Sequence, residues 1–306
     1  MGRYLLMRLG EAVVTLVFIA MAIFGLLHLI PGSPVYGILG RDATPRAVAQ
    51  LNAVLGLNLP IWDQFGRWLG ATLFSAQGGL VLSQLLPVTL ELLTFSSVIA
   101  FALACVVALV QVLHPRSFAD RVLTALTYGF YGFPAFWLGL VLIWLVGLEL
   151  LWLPPNGWPG AMDPGFGSWV VHLIMPVATL ALTTVGGWSR YLRASMEEAL
   201  QTDYVRTARA KGASERRILV RHAFRNSLLP LITLTGISLP TLMNSVIVVE
   251  VIFYIPGAGA GFLQALNGLF FSSATTIAFF LAVVTVLGNV VADACYSLAD
   301  PRIQYD

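Results

Sequence analysis

The stretch Glu198-Ala-Leu-Gln-Thr-Asp-Tyr-Val-Arg-Thr-Ala-Arg-Ala-Lys-Gly-Ala-Ser-Glu-Arg-Arg-Ile-Leu-Val-Arg-His-Ala-Phe-Arg-Asn-Ser-Leu-Leu-Pro230 decides how the rest of the chain is interpreted. It contains Lys211, the only lysine among 306 residues. Gly212 divides the stretch into two short helical segments, and Pro230 marks the return to apolar sequence. In a largely apolar chain, an internal loop that concentrates the positive charge is expected to face water.

The remainder of the chain has the composition of an integral membrane protein. Of its residues 58% are hydrophobic and 10% are charged, whereas soluble globular chains carry about 25% charged residues. The two cysteines, Cys105 and Cys295, lie within apolar runs and indicate neither a disulfide framework nor a metal cluster. The first apolar run follows Arg3 and Arg8 but is too long for a signal peptide, so we expect a retained helix.

The apolar runs predict an all-α protein with six transmembrane helices, because a span takes about 20 apolar residues. Gly129, Gly132 and Pro134 predict a kink or a short entry helix in the third run, which is too long for one straight span. The six predicted spans cover residues 9–30, 88–113, 122–153, 170–191, 228–253 and 274–298.

The distribution of lysine and arginine predicts the orientation of the spans. If both termini lie on the same side, that side carries 14 of the 17 lysine and arginine residues, nine of them between positions 190 and 225. Only Arg41, Arg46 and Arg67 lie on the other side. Because loops rich in positive charge stay in the cytoplasm, both termini are predicted to be cytoplasmic.

A long extracytoplasmic segment is predicted between the first and second spans. Thr44 as N-cap, Pro45 at the first position and Gly56 as the stop predict one helix there. A second helix either lies on the membrane surface or packs on the outer mouth of the bundle, and we expect packing. Its apolar face is formed by Ile61, Phe65, Trp68 and Leu69.

This organisation divides the chain into two parts. Residues 1–86 hold the first span and the extracytoplasmic segment, and residues 87–306 form a transmembrane domain of five helices, with a charged loop at 190–227. After a glycine-rich run at 254–261, residues 262–271 are predicted to form a re-entrant or surface helix.

Several kinds of catalytic and ion-binding site lack support in the sequence. Glu91 and Glu250 lie near outer helix ends and are candidates for an outer vestibule, and no carboxylate lies clearly at mid-depth, as an ion-coupled secondary transporter requires. Neither a His-Glu-x-x-His nor a Gly-x-Ser-x-Gly motif occurs. Because Lys211 is followed by Gly212 and Ala213, the chain also lacks a phosphate-binding loop, so an ATPase that powers transport would be another polypeptide.

Two explanations remain open for the charged loop. Binding of anionic lipid would account for Arg190 and Arg225, which lie nearest the bilayer. Lipid binding explains less well why small residues alternate with charges at 207–213. Small side chains and a glycine after the last turn suit a short helix that docks into a groove of another protein.

The segment Asp203-Tyr-Val-Arg-Thr-Ala-Arg-Ala-Lys-Gly212 and the following Arg221-His-Ala-Phe-Arg-Asn226 resemble the cytoplasmic loop of binding-protein-dependent ABC importer permeases. The resemblance is closest to the dipeptide, oligopeptide and nickel permeases. It differs at Gly78–Ser83, where the family usually has Gly-Asp-Leu-Gly-x-Ser in an external turn. Further matching segments are Pro31–Pro34, Leu55–Pro60, Thr89–Leu92, Pro134–Gly139, Leu229–Pro230, Glu250–Phe253, Pro256–Gly259 and Asp300–Ile303.

The resemblance implies the type I transmembrane domain of an ABC importer, with a coupling helix near Asp203–Ser214 that docks into the ATPase subunit. Arg206, Thr207 and Ala208 occupy the place where other branches of the family have Glu-Ala-Ala. The ATPase-coupling residues implied in this chain are Asp203, Tyr204, Arg206, Thr207, Ala208, Arg209, Lys211, Gly212 and Ala213.

The resemblance also implies the partners and the cargo. The chain would be half of a heterodimeric pore in a bacterial or archaeal inner membrane, together with a second homologous permease, two ATPase subunits and an extracytoplasmic solute-binding protein. The ATPase subunits would bind ATP and magnesium, so this chain is expected to hold no cofactor, to catalyse no reaction and to bind lipid but no nucleic acid. Peptides are the expected cargo, with nickel or a metal chelate as the alternative. An ion-coupled secondary transporter and a non-transporting membrane scaffold are the alternatives from other classes.

Overall fold

The computed structural model describes residues 2–29, 35, 39, 44–159, 165–268 and 270–299. Within these residues the regular secondary structure is entirely helical, as predicted. The segments Pro31–Pro34 and Asp300–Ile303 and the side chain of Arg41 lie outside the described residues. The helices are α1 Gly2–Leu29, α2 Pro45–Leu55, α3 Ile61–Phe74, α4 Ala76–Leu113, α5 Phe118–Gly132, α6 Ala135–Glu149, α7 Phe166–Ala199, α8 Asp203–Ala210, α9 Glu215–Ile252, α10 Ala258–Asn267 and α11 Phe271–Ala299.

The described residues contain five helices that are long and apolar enough to cross a membrane, namely α1, α4, α7, α9 and α11. The pair α5 and α6 supplies the sixth span if it is counted as one broken helix, bent by 108°. Phe133 adopts an extended conformation (φ −84°, ψ 136°) at the bend, because the following Pro134 disfavours the helical conformation for the residue before it. The six-span fold and the kink in the third span are therefore both confirmed.

Two of the spanning helices begin well before the predicted spans. α4 starts at Ala76, where the Ser75 Oγ accepts a hydrogen bond of 3.2 Å from the Gly78 N–H. Where the family usually has an external turn, the Gly78–Ser83 segment of this chain is helical and continues into the membrane span. A π-helical stretch, Val81–Leu85, joins the capped first turns to the apolar part of α4.

The segment after Gly212 likewise belongs to a long helix. The sequence predicts one short helical segment before Gly212 and another after it. The prediction of a short segment after Gly212 is wrong, because Glu215 begins the 38-residue α9. The charged turns of α9 pass through a π-helical stretch, Ile218–Phe224, and continue past Pro230, which lies inside the helix.

The chain forms two compact units, of which the first is built around Leu90–Ile255. In this unit α7 packs along α9 and also against α5 and α6. Its interior is formed by fully buried aliphatic side chains that include Leu180, Leu192, Met196 and Leu231. Because α7 and α9 flank the charged loop in sequence, their packing gives that loop a fixed base.

The second compact unit comprises Leu6–Thr89 and Pro256–Leu287. Its helix α2 has the predicted caps, since the Thr44 Oγ1 accepts from the Ala47 N–H and Gly56 has a φ of 72°. The predicted packing of α3 is also confirmed. The rings of Phe24 and Phe65 lie 5.4 Å apart, and the rings of Trp68 and Phe279 lie 6.3 Å apart.

The described residues also contain the helix expected in the glycine-rich region, α10, which begins at Ala258 rather than at 262. The Ala258 N–H donates a 2.8 Å hydrogen bond to the Thr89 Oγ1 within the same unit. The predicted division of the chain at residue 86 stays a prediction.

Candidate functional site

α8 is a short helix whose terminal charges suit its dipole. It spans eight residues, with Asp203 in the first turn and Arg209 in the last, and is about 12 Å long. A carboxylate at the N-terminus and a guanidinium at the C-terminus both stabilise a helix. The Thr207 Oγ1 donates to the Asp203 carbonyl at 2.9 Å, so the hydroxyl is bound within the helix itself.

The end of α8 is a glycine turn at Gly212. The Gly212 N–H donates to the Arg209 carbonyl at 2.9 Å, and the Ala213 N–H donates to the Ala208 carbonyl at 3.1 Å. This hydrogen-bond pair is the Schellman motif, which requires a left-handed residue, and Gly212 has a φ of 80°. No atom lies within 4 Å of the position that a Gly212 Cβ would occupy. Backbone conformation, rather than lack of space, therefore favours glycine.

One face of α8 is anchored on the first turns of α9. Val205 is fully buried and α8 packs against the stretch Ile218–Phe224, whose Ile218 and Ala223 are also fully buried. The Tyr204 hydroxyl accepts a 3.2 Å hydrogen bond from the Asn226 Nδ2. Val205 is not among the residues predicted from the sequence, although it is the only aliphatic side chain larger than alanine in α8.

The opposite face of α8 is exposed and mostly charged. Asp203 and Arg206 form an ion pair of 3.2 Å, but their side chains are 94% and 74% exposed. Thr207 and Lys211 are exposed as well, and Ala208 and Ala213 are half-buried. Of the residues implied in coupling, most of the charged ones therefore point away from the body of the chain.

Arg209 is held by the neighbouring helix. Its Nε and one terminal nitrogen lie 2.5 and 2.9 Å from the two carboxylate oxygens of Glu215, the first residue of α9. This bidentate pair raises the pKa of Arg209 by hydrogen bonding to the charged form. Arg209 thus links the end of α8 to the start of α9 across the Gly212 turn, a role that was not predicted from the sequence.

A second ion pair fastens the end of α7, the helix that leads to α8. The Arg193 Nη1 lies 2.8 Å from the Oδ1 of Asp120, which is only 6% exposed. Asp120 Oδ2 accepts from the Arg116 N–H at 2.8 Å, and the Asp120 N–H donates to the Ser117 Oγ. The spacing of Ser117 and Asp120 is a helix-capping signal that would have identified this carboxylate from sequence.

The two vestibule candidates differ in their surroundings. Glu250 is fully buried, and its carbonyl accepts a 2.8 Å hydrogen bond from the Ile255 N–H. Glu91 is half-buried, and among the described residues its Oε2 has no hydrogen-bond partner. The vestibule role of both carboxylates stays a prediction. No group of three potential metal-ligating side chains is found in the part of the chain that the structure describes.

A large cavity lies between α7, α9 and the α5–α6 bend, with a volume of about 790 Å³. The Thr184 and Ser238 hydroxyls each donate a 2.7 Å hydrogen bond to a carbonyl of their own helix. The Ser238 Oγ also accepts from the Trp188 Nε1 at 3.4 Å. Because a hydroxyl oxygen has two lone pairs, both hydroxyls can still accept a hydrogen bond from a molecule in the cavity. The hydroxyl-bearing residues of the lining, tyrosines aside, are Thr183, Thr184, Ser238, Thr241 and Ser245.

Comparison with known protein families covers nearly the whole chain. The family described as binding-protein-dependent transport system inner membrane component matches residues 100–305. A separate model for the N-terminal part of these membrane components matches residues 1–80. The chain belongs to this family. As a family member it is a multi-pass membrane transport subunit and not an enzyme, since the ATPase of these systems is a separate subunit.

Individual relatives match from end to end. This chain is 33% identical over 314 residues to a probable peptide ABC transporter permease of Sinorhizobium fredii, and the match covers all of both chains. It is 32% identical over 317 residues to the oligopeptide transport system permease protein AppB of Bacillus subtilis, again with full coverage of both. The dipeptide transport system permease protein DppB of Escherichia coli is 30% identical over 338 residues, which cover 100% of this chain and 99% of that protein.

Proposed function

We propose that the chain is the permease subunit of an ATP-driven importer of peptides. The observation that carries this proposal is the end-to-end similarity to permeases whose names specify peptide, oligopeptide and dipeptide transport. Nickel or a metal chelate remains the second candidate cargo, because the charged loop also resembles that of nickel permeases. The chain would form half of a heterodimeric pore with a homologous permease, and a solute-binding protein would deliver the cargo.

The proposed role of α8 is to dock into an ATPase subunit. Its buried Val205 and the Arg209–Glu215 pair attach it firmly to α9, while Arg206 and Thr207 remain exposed for a partner. Movement of the closing ATPase pair would therefore pass from α8 directly into a helix that is long and apolar enough to cross the membrane. ATP and magnesium would be bound by the partners, and this chain would need no cofactor of its own.

The hydroxyl-lined cavity is the proposed half of the translocation path. A peptide in transit carries main-chain N–H groups, and the accepting hydroxyls of Thr184, Ser238 and their neighbours suit those donors without selecting a side chain. A volume of about 790 Å³ lies within the range of about 300–1,000 Å³ that is usual for ligand sites. Such a surface fits a permissive conduit whose cargo is chosen by the binding protein.

The proposed orientation has both termini and α8 in the cytoplasm of a bacterial or archaeal cell, with the chain in the inner membrane. It is supported by the excess of lysine and arginine on that side. A membrane-impermeant maleimide added to intact spheroplasts should label Asn156→Cys but not Arg206→Cys in a chain whose own cysteines are replaced by serine. Labelling of Arg206→Cys from outside would reverse the orientation.

Transport by the purified importer tests the proposal as a whole. The chain, the second permease, the ATPase subunits and the binding protein are reconstituted in proteoliposomes, and uptake of labelled dipeptide and oligopeptide is followed with and without ATP. We expect ATP-dependent uptake of peptide. Uptake of radioactive nickel without peptide uptake would favour the metal alternative, and uptake that needs an ion gradient but no ATP would contradict the importer assignment.

A further inference from the structure

A second, smaller cavity lies at the ends of three helices, and of its lining residues only Arg190 also lines the larger cavity. Its volume is about 360 Å³. Gln111 contributes from the last turn of α4, Thr124 and Tyr128 from α5, and Arg190 with Glu197 from the final turns of α7. Because these helices end here, the cavity lies where membrane spans meet the headgroup region.

Gln111 is the first indication that the cavity holds a ligand. The residue is only 3% exposed, and its Nε2 donates a 2.9 Å hydrogen bond to the Thr124 Oγ1. Among the described residues its Oε1 has no hydrogen-bond partner. A buried acceptor without a partner is destabilising, so a donor on a bound molecule would satisfy this oxygen.

Arg190 is the second indication. Its guanidinium lies 4.5 Å from the centre of the Tyr128 ring and 4.4 Å from that of Tyr131, and its Nε donates to the Gly186 carbonyl at 2.8 Å. These contacts orient the side chain, yet in the described part of the chain no carboxylate lies within ion-pair distance of it. Its terminal nitrogens are therefore free to bind an anion.

The Glu197 carboxylate adds a negative charge to the lining of the cavity, in addition to the positive charge of Arg190. The Arg193 side chain is shared between Asp120 at 2.8 Å and the Glu197 Oε1 at 2.9 Å, so Arg193 is already neutralised. Together Arg190, Arg193, Asp120 and Glu197 carry no net charge. The matching ligand is a neutral molecule that carries an anion and a hydrogen-bond donor at separate ends.

We propose that this cavity binds the headgroup of a phosphatidylethanolamine lipid. The phosphate would bind the terminal nitrogens of Arg190, and the ammonium group would donate to the Gln111 Oε1 and the Glu197 carboxylate. The helices that carry this site expose large apolar side chains, with Val106 58% and Leu126 49% exposed. Such surfaces are where acyl chains lie when the headgroup is bound at the membrane interface.

Native mass spectrometry of the full chain in complex with its partner subunits tests the proposal. The detergent-solubilised complex is incubated with phosphatidylethanolamine, phosphatidylcholine or phosphatidylglycerol, and the retained lipid is counted. We expect phosphatidylethanolamine to be retained about tenfold better than phosphatidylcholine, whose ammonium lacks N–H donors, because a charged hydrogen bond contributes roughly that factor. Equal retention of these two lipids, or stronger retention of phosphatidylglycerol, would overturn the proposal.

Variants assign the two halves of the headgroup. Arg190→Gln should reduce retention of all three lipids, whereas Glu197→Gln should reduce retention of phosphatidylethanolamine alone. Arg221, which is exposed, provides the control: Arg221→Gln should leave the retention of every lipid unchanged. An equal loss in Arg221→Gln would show general surface attraction and overturn the site. If a variant fails to assemble, the ranking of the lipids on the unmodified complex still decides.

Two further probes separate the lipid from other sources of the same chemistry. Inorganic phosphate is added as a competitor, and dialanine is added because a dipeptide also carries an ammonium group and an anion. Retention of phosphatidylethanolamine should be unaffected by either at millimolar concentration. Displacement of the lipid by dialanine would assign the cavity to cargo instead and would overturn the lipid proposal without weakening the proposed transport function.

Discussion

At the scale of single residues, Gly212 is the position where backbone conformation and the proposed coupling role coincide. Its φ of 80° costs a residue with a Cβ about 1–2 kcal/mol, less for asparagine, and proline cannot adopt it because its ring fixes φ near −65°. We therefore expect the ratio of peptide imported to ATP hydrolysed to fall in the order Gly212, Gly212→Asn, Gly212→Ala, Gly212→Pro. The ratio is measured in proteoliposomes that contain the complete importer.

The matched control for this series is Gly129→Ala, a glycine inside α5 whose added Cβ meets no atom within 4 Å. It should leave the transport ratio unchanged. A Gly212→Pro importer that assembles and keeps the original ratio would contradict the role given to the end of α8.

The Arg209–Glu215 pair makes a second prediction at this scale. Arg209→Glu places two carboxylates together across the Gly212 turn and should reduce the transport ratio, because like charges repel α8 from the start of α9. The double variant Arg209→Glu with Glu215→Arg restores the pair with its charges exchanged and should recover most of the ratio. If the double variant is as defective as the single one, Arg209 acts through its own charge on a partner and not through Glu215.

At the scale of helices, the crossing of α5 and α7 depends on Gly186. An added Cβ there would lie 2.3 Å from the Thr127 carbonyl oxygen, which belongs to the backbone and cannot turn aside. We expect Gly186→Ala to lower the Tm of the detergent-purified chain and to reduce its yield. Gly129→Ala on the partner helix should keep or raise the Tm, because alanine favours a helix over glycine by about 0.5–1 kcal/mol. Equal Tm values for the two variants would contradict this crossing.

The helices also show what sequence can and cannot predict. Thr44, Pro45 and Gly56 act on neighbouring backbone groups, so the ends of α2 followed from local chemistry. The true starts of α4 and α9 were missed because hydropathy detects only the part of a helix that lies in the membrane. The turns that begin at Ala76 contain Gln77 and two glycines, and those that begin at Glu215 are charged, yet both continue into a long helix.

In the candidate site, too, the features set by neighbouring residues were predictable, and those set by contacts between distant residues were not. The exposed charged face and the terminal glycine of α8 followed from one segment of sequence. Its anchoring did not, because Val205 is buried by residues of α9 and Asp120 pairs with Arg193, which is 73 positions away. Pairs of this kind depend on how helices pack, and a single sequence carries no direct record of that packing.

At the scale of the whole molecule, the chain is one subunit of a transport system, and its proposed activity depends on transferring movement from an ATPase to the membrane. The described residues provide a short helix for that purpose in α8, attached to α9 by Val205 and by the Arg209–Glu215 pair. We therefore claim that the exposed face of α8 contacts the ATPase subunit directly.

Site-specific photo-crosslinking tests that claim most directly. A benzophenone amino acid replaces Thr207 on the exposed face of α8, and in a control it replaces Trp152, which is 72% exposed in the segment after α6. Both are expressed with the partner subunits, and adducts are detected with an antibody against a tagged ATPase. We predict an ATPase adduct from position 207, which weakens in Gly212→Pro, and none from position 152. An assembled complex that gives no adduct from position 207, or equal adducts from both positions, would contradict the account.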